Sequence, residues 1–369
     1  MLQGRVMVSA SARTTGNAAA GNAARAEGSD RAVAAWLFVC CAMIFLMVVI
    51  GGLTRLTLSG LSITEWEPVS GIIPPLSSAD WAAEFAKYQA IPQYKLINAG
   101  MSLPQFKTIF WWEYTHRLWG RLIGFAYLLP FLYFLARRMI PRRLVAPLAG
   151  IFALGGCQGL LGWYMVESGL AHRVEVSQYR LTAHLALALA IYAATLWTAL
   201  GLVGKIPSPG LPERGFVWLR RGAEAILCLV GLTIVAGGFT AGLNAGLVYN
   251  TFPLMGGSFV PGEYAELTPF FRNWFENVAA VQFDHRMLAM TTAASIVALW
   301  LAARRAAALP HPARIALHAL LAVVALQFTL GLSTLLLVVP IPLAAAHQAG
   351  AVLLLTAAIV FRHKLRARA

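Results

Sequence analysis

The chain has 369 residues, of which 59% are apolar and only 12% are charged. A soluble domain carries about 45–50% apolar and about 25% charged residues, so a soluble protein of this composition could not cover its surface. The 29 Lys and Arg against 15 Asp and Glu give a formal charge of +14. These basic residues cluster between apolar runs, which indicates membrane topology and no nucleic-acid partner. The composition therefore predicts a polytopic membrane protein.

Eight apolar segments are long enough to cross a bilayer, which takes about 20 residues of α-helix. They lie at about residues 32–53, 112–136, 144–165, 181–203, 222–240, 280–302, 314–338 and 343–361. The third is interrupted by Pro147 and several glycines. Because backbone groups in lipid must be hydrogen-bonded internally, unalternating runs of this length predict helices and not barrel strands. The predicted fold class is all-α.

The distribution of Lys and Arg between the spans predicts the orientation. Nineteen of them fall on one side, in the two termini and the connections after the second, fourth and sixth spans. Seven fall on the other side, in longer connections, and three lie within spans. Both termini are therefore expected on the cytoplasmic or matrix side of the membrane.

The segments outside the spans are polar. Residues 1–31 are rich in Ala, Gly, Ser and Arg without an apolar core, so they are predicted to be a disordered tail and not a signal peptide; an organellar transit peptide is the alternative. Residues 204–221 are predicted to be a cytoplasmic linker and residues 362–369 a basic cytoplasmic tail. The four cysteines all lie inside apolar runs, which indicates neither a disulfide framework nor a thiolate metal site.

The sequence contains an internal duplication. Three motifs and one residue recur four spans later: Gly51-Gly52-x-Thr54 as Gly237-Gly238-x-Thr240, His116-Arg117 as His285-Arg286, Gln158-x-x-x-Gly162 as Gln327-x-x-x-Gly331, and His184 as His347. The offsets are constant within an element and shrink only across connections. Residues 32–203 and 222–361 are therefore expected to form tandem four-helix bundles, related by a pseudo-two-fold axis along the membrane normal, each with a site in its core.

Four of the eight histidines differ from the rest in depth and symmetry. His116, His184, His285 and His347 lie on the even-numbered spans, each about one turn in from the outer end. A single intramembrane histidine is often a packing residue, but two per repeat at equal depth are hard to explain by packing. The remaining four are read as solvated or structural residues: His172, His311, His318 and His363.

Two histidines on different helices of one bundle suit a flat metal macrocycle held between them, since imidazole is a common axial ligand of haem. A bare Zn²⁺ or Cu²⁺ would need three or four protein ligands. The stripes His116-Gly120-Gly124 and His285-Ala289-Ala293 would leave room for a planar group, although close helix packing explains them equally well. These patterns favour a haem in each half.

Arginines follow the histidines at the outer boundary. Arg117, Arg121 and Arg286 are candidates for binding haem propionates, because arginine pairs with carboxylates through two hydrogen bonds. Snorkelling to the membrane interface is the alternative role.

The two halves differ at one position. Glu113 lies three residues before His116, whereas Gln282 lies three residues before His285. Residues three apart share a helix face, so the Glu113 carboxylate is expected beside the His116 cavity, where it could accept a proton or stabilise positive charge. The first half is therefore predicted to perform chemistry and the second to hold a permanent haem.

The long outer connection at about 54–111 is either a lid or a set of interfacial aromatic residues.

Several of these motifs resemble the haem A synthase family. The resemblance covers about residues 34–362 and is carried by residues 51–66 (Gly-Gly-Leu-Thr-Arg-Leu-Thr-x-Ser-Gly-Leu-Ser-Ile-x-Glu-Trp), Pro74-Pro75-Leu76 and residues 111–121 (Trp-Trp-Glu-Tyr-Thr-His-Arg-Leu-Trp-Gly-Arg). Some bacterial members carry a cysteine pair in the first outer connection. This chain has none, so it is similar to the proteobacterial and mitochondrial type.

The resemblance implies an eight-helix protein of the bacterial or mitochondrial inner membrane. It implies oxidation of a ring methyl of haem O to a formyl group, by successive hydroxylation, to give haem A for terminal oxidases. By position, His285 and His347 would ligate a resident haem b, His116 and His184 would hold the substrate, and Glu113 would be the catalytic carboxylate. An electron-transfer partner and a homo-oligomeric state are further expectations, and haem O would enter from lipid or be handed over by haem O synthase.

Two other functions compete with this one. A membrane di-haem electron-transfer subunit would keep both histidine pairs permanently occupied, but it does not need a carboxylate in one half only. A transporter built from parallel repeats would have unwound, charged mid-spans, whereas the polar residues here lie at the outer ends. The contrast of Glu113 with Gln282 therefore favours an enzyme.

Overall fold

The computed structural model describes residues 4–67, 70–170, 174–203, 217–304 and 309–366, with side chains from residue 27 onward. Eight of its helices are long and apolar enough to cross a membrane. In chain order they are α1 (Gly4–Leu56), α2 (Leu103–Ala136), α3 (Arg142–Leu170), α4 (Gln178–Val203), α5 (Val217–Gly242), α6 (Val278–Ala303), α7 (His311–Leu336) and α8 (Ile341–Lys364). No β-strand occurs in these ranges.

All eight predicted spans are confirmed, and most helices extend a few residues beyond the apolar run. α3 continues through Pro147, which is the sixth residue of the helix. α1 begins at Gly4, upstream of the predicted boundary at residue 31, and its apolar part begins at Glu27. The predicted linker at 204–221 lies outside the described residues except for its last five, which belong to α5.

The start of α2 also differs from the prediction, because this helix begins nine residues before the predicted span at 112. Ser102 and Gln105 explain the early start: the Gln105 Oε1 accepts a hydrogen bond of 2.9 Å from the Ser102 amide, an arrangement typical of helix N-termini. Residues 103–111, predicted as loop, are therefore the first turns of α2.

The connection between α1 and α2 is folded. It contains the helices Ser78–Ala90 and Pro92–Leu96. Their apolar side chains form a small core with the first turns of α2: Leu61, Trp81, Tyr88, Ile91, Phe106, Ile109, Phe110 and Tyr114. Of the aromatic residues in this stretch, Trp66 and Trp111 stay exposed, and Trp66 packs against Trp163 of α3.

The long helices pack in an order that recurs along the chain. In the first four, α1 contacts α2 and α4, and α3 contacts α2 and α4; in the last four, α5 contacts α6 and α8, and α7 contacts α6 and α8. The two sets meet where α1 packs on α8, α4 on α5 and α4 on α8. A continuous buried core of apolar residues spans both sets.

The glycine doublets lie where these helices approach most closely. A Cβ added at Gly51 or Gly237 would lie within about 3 Å of a histidine ring of the same set. A Cβ added at Gly52 would clash with the amide of Gln348 on α8, and one at Gly238 would lie 3.0 Å from the Thr182 hydroxyl on α4. The first glycine of each doublet thus makes room for a histidine, and the second lets the two sets of helices touch.

The C-terminal end of α8 corrects one expectation. His363, predicted to be a solvated tail residue, is 5% exposed because α8 continues to Lys364 and carries this ring against Trp197 of α4. Arg366 lies over the same Trp197 ring. The Arg362 guanidinium forms an ion pair of 2.6 Å with Glu224 of α5. The predicted basic tail is therefore packed against the helices as far as residue 366.

Candidate functional site

The four histidines of the duplicated motifs come together as two pairs. His116 on α2 and His184 on α4 are close enough to interact electrostatically, and so are His285 on α6 and His347 on α8. Three of them lie six or seven residues after their helix begins, about 9–10 Å along the axis and not one turn. His116 lies thirteen residues after Leu103 because α2 begins outside the apolar segment.

Each histidine ring packs against one glycine of a repeated motif. An added Cβ would lie 3.1 Å from the His116 ring at Gly51, 3.0 Å from the His184 ring at Gly162, 3.0 Å from the His285 ring at Gly237 and 2.7 Å from the His347 ring at Gly331. Such contacts are too short for any larger residue without displacing the ring. The repeated glycines therefore form cradles for the four imidazoles.

The repeated glutamines contact the same rings from the side. The amide nitrogen of Gln158 lies 3.2 Å from Nδ1 of His184 and donates to the backbone carbonyl of His184 at 3.0 Å. Gln327 makes the same two contacts with His347, at 3.1 and 3.0 Å. The motif Gln-x-x-x-Gly thus places an amide beside Nδ1 and a glycine beneath the ring, one turn apart on α3 and α7.

The other two histidines differ from each other. The Nδ1 of His285 lies 3.1 Å from the backbone carbonyl of Thr233 on α5. Within the described residues, the ring of His116 makes no hydrogen bond, and Met47 stands where Thr233 stands in the repeat. One histidine of the four is therefore held by packing alone.

Glu113 is buried and fully engaged in hydrogen bonds. Its Oε2 accepts from the Ser62 hydroxyl and from the Ile63 amide, each at 2.8 Å. Its Oε1 accepts from Arg117, which forms an ion pair of 2.6 Å with it. The carboxylate thus ties α2 to the start of the α1–α2 connection, a role that the sequence did not predict.

Gln282 attaches α6 to the α5–α6 connection in the second set, but here the side chain donates hydrogen bonds to the connection instead of accepting them. Its amide nitrogen donates to the carbonyls of Ala245 and Tyr249, and its oxygen accepts from Arg286 at 3.1 Å. A carboxylate could not donate to these carbonyls. The difference between Glu113 and Gln282 therefore matches the two connections: the α1–α2 connection presents donors to Glu113, and the α5–α6 connection presents acceptors to Gln282.

The predicted arginines bind backbone carbonyls of the same connections. Arg117 donates to Ile63 and Glu65, at 2.7 and 2.9 Å. Arg286 donates to Tyr249 and Thr251, at 2.6 and 2.8 Å. These carbonyls are related by the same 186-residue offset as the glycine doublets. Arg121 donates to the Glu67 carbonyl at 2.7 Å. Propionate binding by these three arginines stays a prediction.

The second histidine pair fits an iron porphyrin. An imidazole that binds iron through Nε2 carries its proton on Nδ1 and needs an acceptor there. Thr233 supplies a carbonyl to His285. Beside His347, the Gln327 oxygen is buried without a hydrogen-bond partner among the described residues. Turning the amide over would present this oxygen to Nδ1–H and would give up the hydrogen bond from the amide nitrogen to the His347 carbonyl. Gln158 has the same orphaned oxygen beside His184.

The remaining histidines and Asp284 agree with structural roles where the structure describes them. His318 accepts a hydrogen bond of 3.0 Å from the Trp300 indole, and His311 is the first residue of α7. His172 lies outside the described residues. Asp284, the neighbour of His285, accepts a hydrogen bond of 3.0 Å from Tyr264 of the α5–α6 connection.

The sequence contained a signal for the residues that complete the site. Four repeated glycines contact the histidine rings: Gly51, Gly162, Gly237 and Gly331. The sequence shows that their motifs are repeated but does not show this contact. Gln158 and Gln327 likewise marked the duplication before their place beside Nδ1 was known. A repeat that preserves one residue type at one spacing indicates a shared contact, which the fold then identifies.

The fold and the site define a class of protein: an integral membrane protein of eight long helices that holds two pairs of imidazoles between helices. Comparison with known proteins narrows this class. A family model described as cytochrome oxidase assembly protein (COX15-CtaA) matches residues 34–359. The chain belongs to this family, as the motifs at 51–66 and 111–121 had predicted.

Relatives from bacteria and mitochondria match most of the chain. The haem A synthase of Nitrosospira multiformis is 56% identical over 338 residues, which cover 91% of this chain and 94% of that protein. The haem A synthase of Nitrosomonas eutropha is 51% identical, covering 90% of this chain and 93% of that protein. The mouse haem A synthase COX15 is 46% identical, covering 92% and 83%.

Proposed function

We infer that this protein is a haem A synthase, an oxidoreductase that converts haem O into haem A. The observation that carries this conclusion is the identity of 46–56% to haem A synthases over 90–92% of this chain. The paired imidazoles with glycine cradles support it, because they form two sites of the kind that a porphyrin substrate and a porphyrin cofactor need.

The second pair, His285 and His347, is proposed to hold a resident haem b. Thr233 and Gln327 fix the orientation of the two rings, and Gly237 and Gly331 give them room. When bound, a haem of this kind transfers single electrons. Because both rings are held at Nδ1, the pair suits a haem that stays bound through many turnovers.

The first pair, His116 and His184, is proposed to hold haem O as substrate. Gly124, two turns beyond His116, has open space where a Cβ would be, so a planar ring system meets no side chain there. The folded α1–α2 connection lies beside this pair through Glu113 and Arg117, and we propose that it covers the substrate as a lid.

Glu113 is proposed as the catalytic carboxylate. Its four hydrogen bonds fix both oxygens, so it would act as a positioned negative charge near the methyl group being oxidised, where positive charge develops. Its attachment to Ser62, Ile63 and Arg117 means that any substitution also loosens the connection. Tests of its role therefore need a readout of the fold.

The proposed location is the bacterial inner membrane, with both termini on the cytoplasmic side, as the excess of Lys and Arg in the connections after α2, α4 and α6 indicates. Reporter fusions after residues 140 and 369 should be active on the cytoplasmic side, and one in the connection at 57–102 on the periplasmic side. The opposite pattern would reject this orientation.

The decisive experiment is pigment analysis of cells that express haem O synthase with or without this protein. Haem A should appear only when both are present. Cells that accumulate haem O, and two tightly held b-type haems per chain, would instead identify a di-haem electron-transfer subunit.

A further inference from the structure

The four imidazoles differ in how firmly they are held. His184 and His347 each have a glutamine amide beside Nδ1, and His285 has the Thr233 carbonyl. His116 has no such contact within the described part of the chain. The second pair is therefore fixed at both rings, and the first pair at one ring only.

The orientation of the His116 ring differs in the same way. At the other three histidines the nearest ring atom to the added glycine Cβ is Cε1. At His116 the nearest atoms are Nε2 at 3.1 Å and Cδ2 at 3.4 Å from the Cβ position of Gly51. A half-turn about the Cβ–Cγ bond exchanges these two edges of an imidazole. With no hydrogen bond at Nδ1, this turn breaks no polar contact of the ring.

A substrate site has to open in every catalytic cycle. A haem held between two imidazoles can leave only if both axial iron–imidazole bonds break, one after the other. Each bond returns its electron pair to the imidazole without any transfer of electrons to or from iron. The ring with no second contact is the one whose departure costs least, because contacts to the far nitrogen fix ligand orientation.

We propose that His116 is the exchangeable ligand of the substrate site, and that His184, held by Gln158, is the fixed one. Haem O would first bind to His184, and His116 would then close on the iron; haem A would leave in the reverse order. This inference rests on the proposed function, in which the first pair holds the substrate.

The test compares haem O binding to purified full-length His116→Ala and His184→Ala. Loss of the exchangeable ligand should leave a ferrous five-coordinate, high-spin haem O on His184. Loss of the fixed ligand should raise the dissociation constant at least about 10-fold more than loss of His116 does. Equal effects, or the reverse order, would overturn the proposal.

Gln158→Leu tests the contact that makes His184 the fixed ligand. It should speed haem O release to an apomyoglobin trap by about 10-fold, a typical effect of removing the partner of a ligating histidine. Thr198→Val on α4, whose hydroxyl donates to the Ala194 carbonyl of the same helix, is the control and should leave haem O release unchanged. An unchanged release rate in Gln158→Leu would also contradict the proposal.

Two readouts separate failure of this inference from failure of the proposed function. The absorbance of the resident haem b in each variant reports that the helices are assembled. Haem A production by the wild-type protein with haem O synthase reports the function. Haem A formation together with equal effects of His116→Ala and His184→Ala would reject the exchangeable ligand alone; no haem A formation would reject the function.

Discussion

Each imidazole of the site is positioned by residues that are ordinary in isolation. Every ring packs on a glycine, and at Nδ1 His285 faces a backbone carbonyl whereas His184 and His347 face a glutamine amide nitrogen. Because these contacts come from neighbouring helices, the rings of His184, His285 and His347 cannot turn without disturbing a contact between helices. The first predictions concern single side chains of this arrangement.

We expect His285→Ala and His347→Ala to lose the resident haem b, because one imidazole removed leaves the iron without its second axial ligand. Haem b per chain, measured as the pyridine haemochrome of the purified variants, should fall in both. His318→Ala, which removes a histidine bonded to Trp300, should keep its haem. A full complement of haem b in His347→Ala would contradict the assignment.

We expect Glu113→Gln to lower haem A production by about 10²-fold or more, the contribution typical of a positioned acid–base or charged group. The resident haem b spectrum should persist, because the second pair is on other helices. In this variant the glutamine amide nitrogen would face a donor from Ser62, Ile63 or Arg117, which would loosen the α1–α2 connection. Cleavage of this connection by added protease should therefore be measured in parallel. Normal turnover in this variant would remove Glu113 from the mechanism.

We expect Gly162→Ala to weaken haem O binding by about 10-fold, because the added methyl group would lie 3.0 Å from Cε1 of His184 and displace the ring. Gly159→Ala is the matched control on the same helix, where nothing lies within 4 Å of the added Cβ. Dissociation constants of the two variants should therefore differ. Equal affinities would mean that the cradle does not position His184.

At the scale of the elements, the corresponding helices α2 and α6 begin differently. α2 runs unbroken from Leu103, whereas the second set has a separate turn at Asn273–Glu276 before α6 begins at Val278. Asn277 causes the break: its side-chain oxygen accepts from the amides of Ala279 and Ala280, at 2.9 and 3.2 Å. The related position in α2 is Thr108, within the helix.

We expect Asn277→Ala to destabilise the protein by about 1–2 kcal/mol, the usual effect of removing a helix N-cap. The melting temperature of the purified protein should fall. Thr108→Ala at the related position should change the stability by no more than about 0.5 kcal/mol, because Thr108 is exposed and caps nothing. Equal melting temperatures for the two variants would show that the cap contributes nothing to stability.

The elements themselves could largely be predicted, and the contacts between them could not. Apolar length alone located all eight spanning helices, because lipid allows few alternatives. It missed residues 103–111 of α2, whose start depends on Ser102 and Gln105 and not on hydropathy. The duplication identified the four histidines, but only the packed helices showed that Gln158 lies beside His184 or that Glu113 is bound by Ser62.

For the whole molecule, the contact between the two sets of helices is what brings the two histidine pairs into one protein. Gln348 of α8 donates to the Val48 carbonyl of α1 at 2.7 Å, and Tyr192 of α4 is hydrogen-bonded to Thr356 of α8 at 2.7 Å. At the end that carries the long connections, Arg55 donates to Asn244 at 2.5 Å, which in turn donates to Glu175. Contacts between the sets thus occur along the full length of the helices.

We expect Gly52→Ala to displace the Gln348 side chain of α8 and to break its hydrogen bond to the Val48 carbonyl of α1, because the added Cβ would clash with the Gln348 amide. Overpacking of this kind typically costs about 1–3 kcal/mol, so the melting temperature should fall and resident haem b should be lost on mild heating. Gly231→Ala on α5, with nothing within 4 Å of the added Cβ, should not destabilise the fold. A melting temperature unchanged by Gly52→Ala would exclude this close approach.

Arg117 and Arg286 hold their connections only through peptide oxygens, at positions 63 and 65 and at 249 and 251. A peptide oxygen is present whatever side chain follows it, so mutations in these connections leave the two attachments intact. After gene duplication, each copy could therefore acquire its own extramembrane surface by ordinary amino-acid replacement. Insertions or deletions between the attachment points are the changes that selection should remove from this lineage.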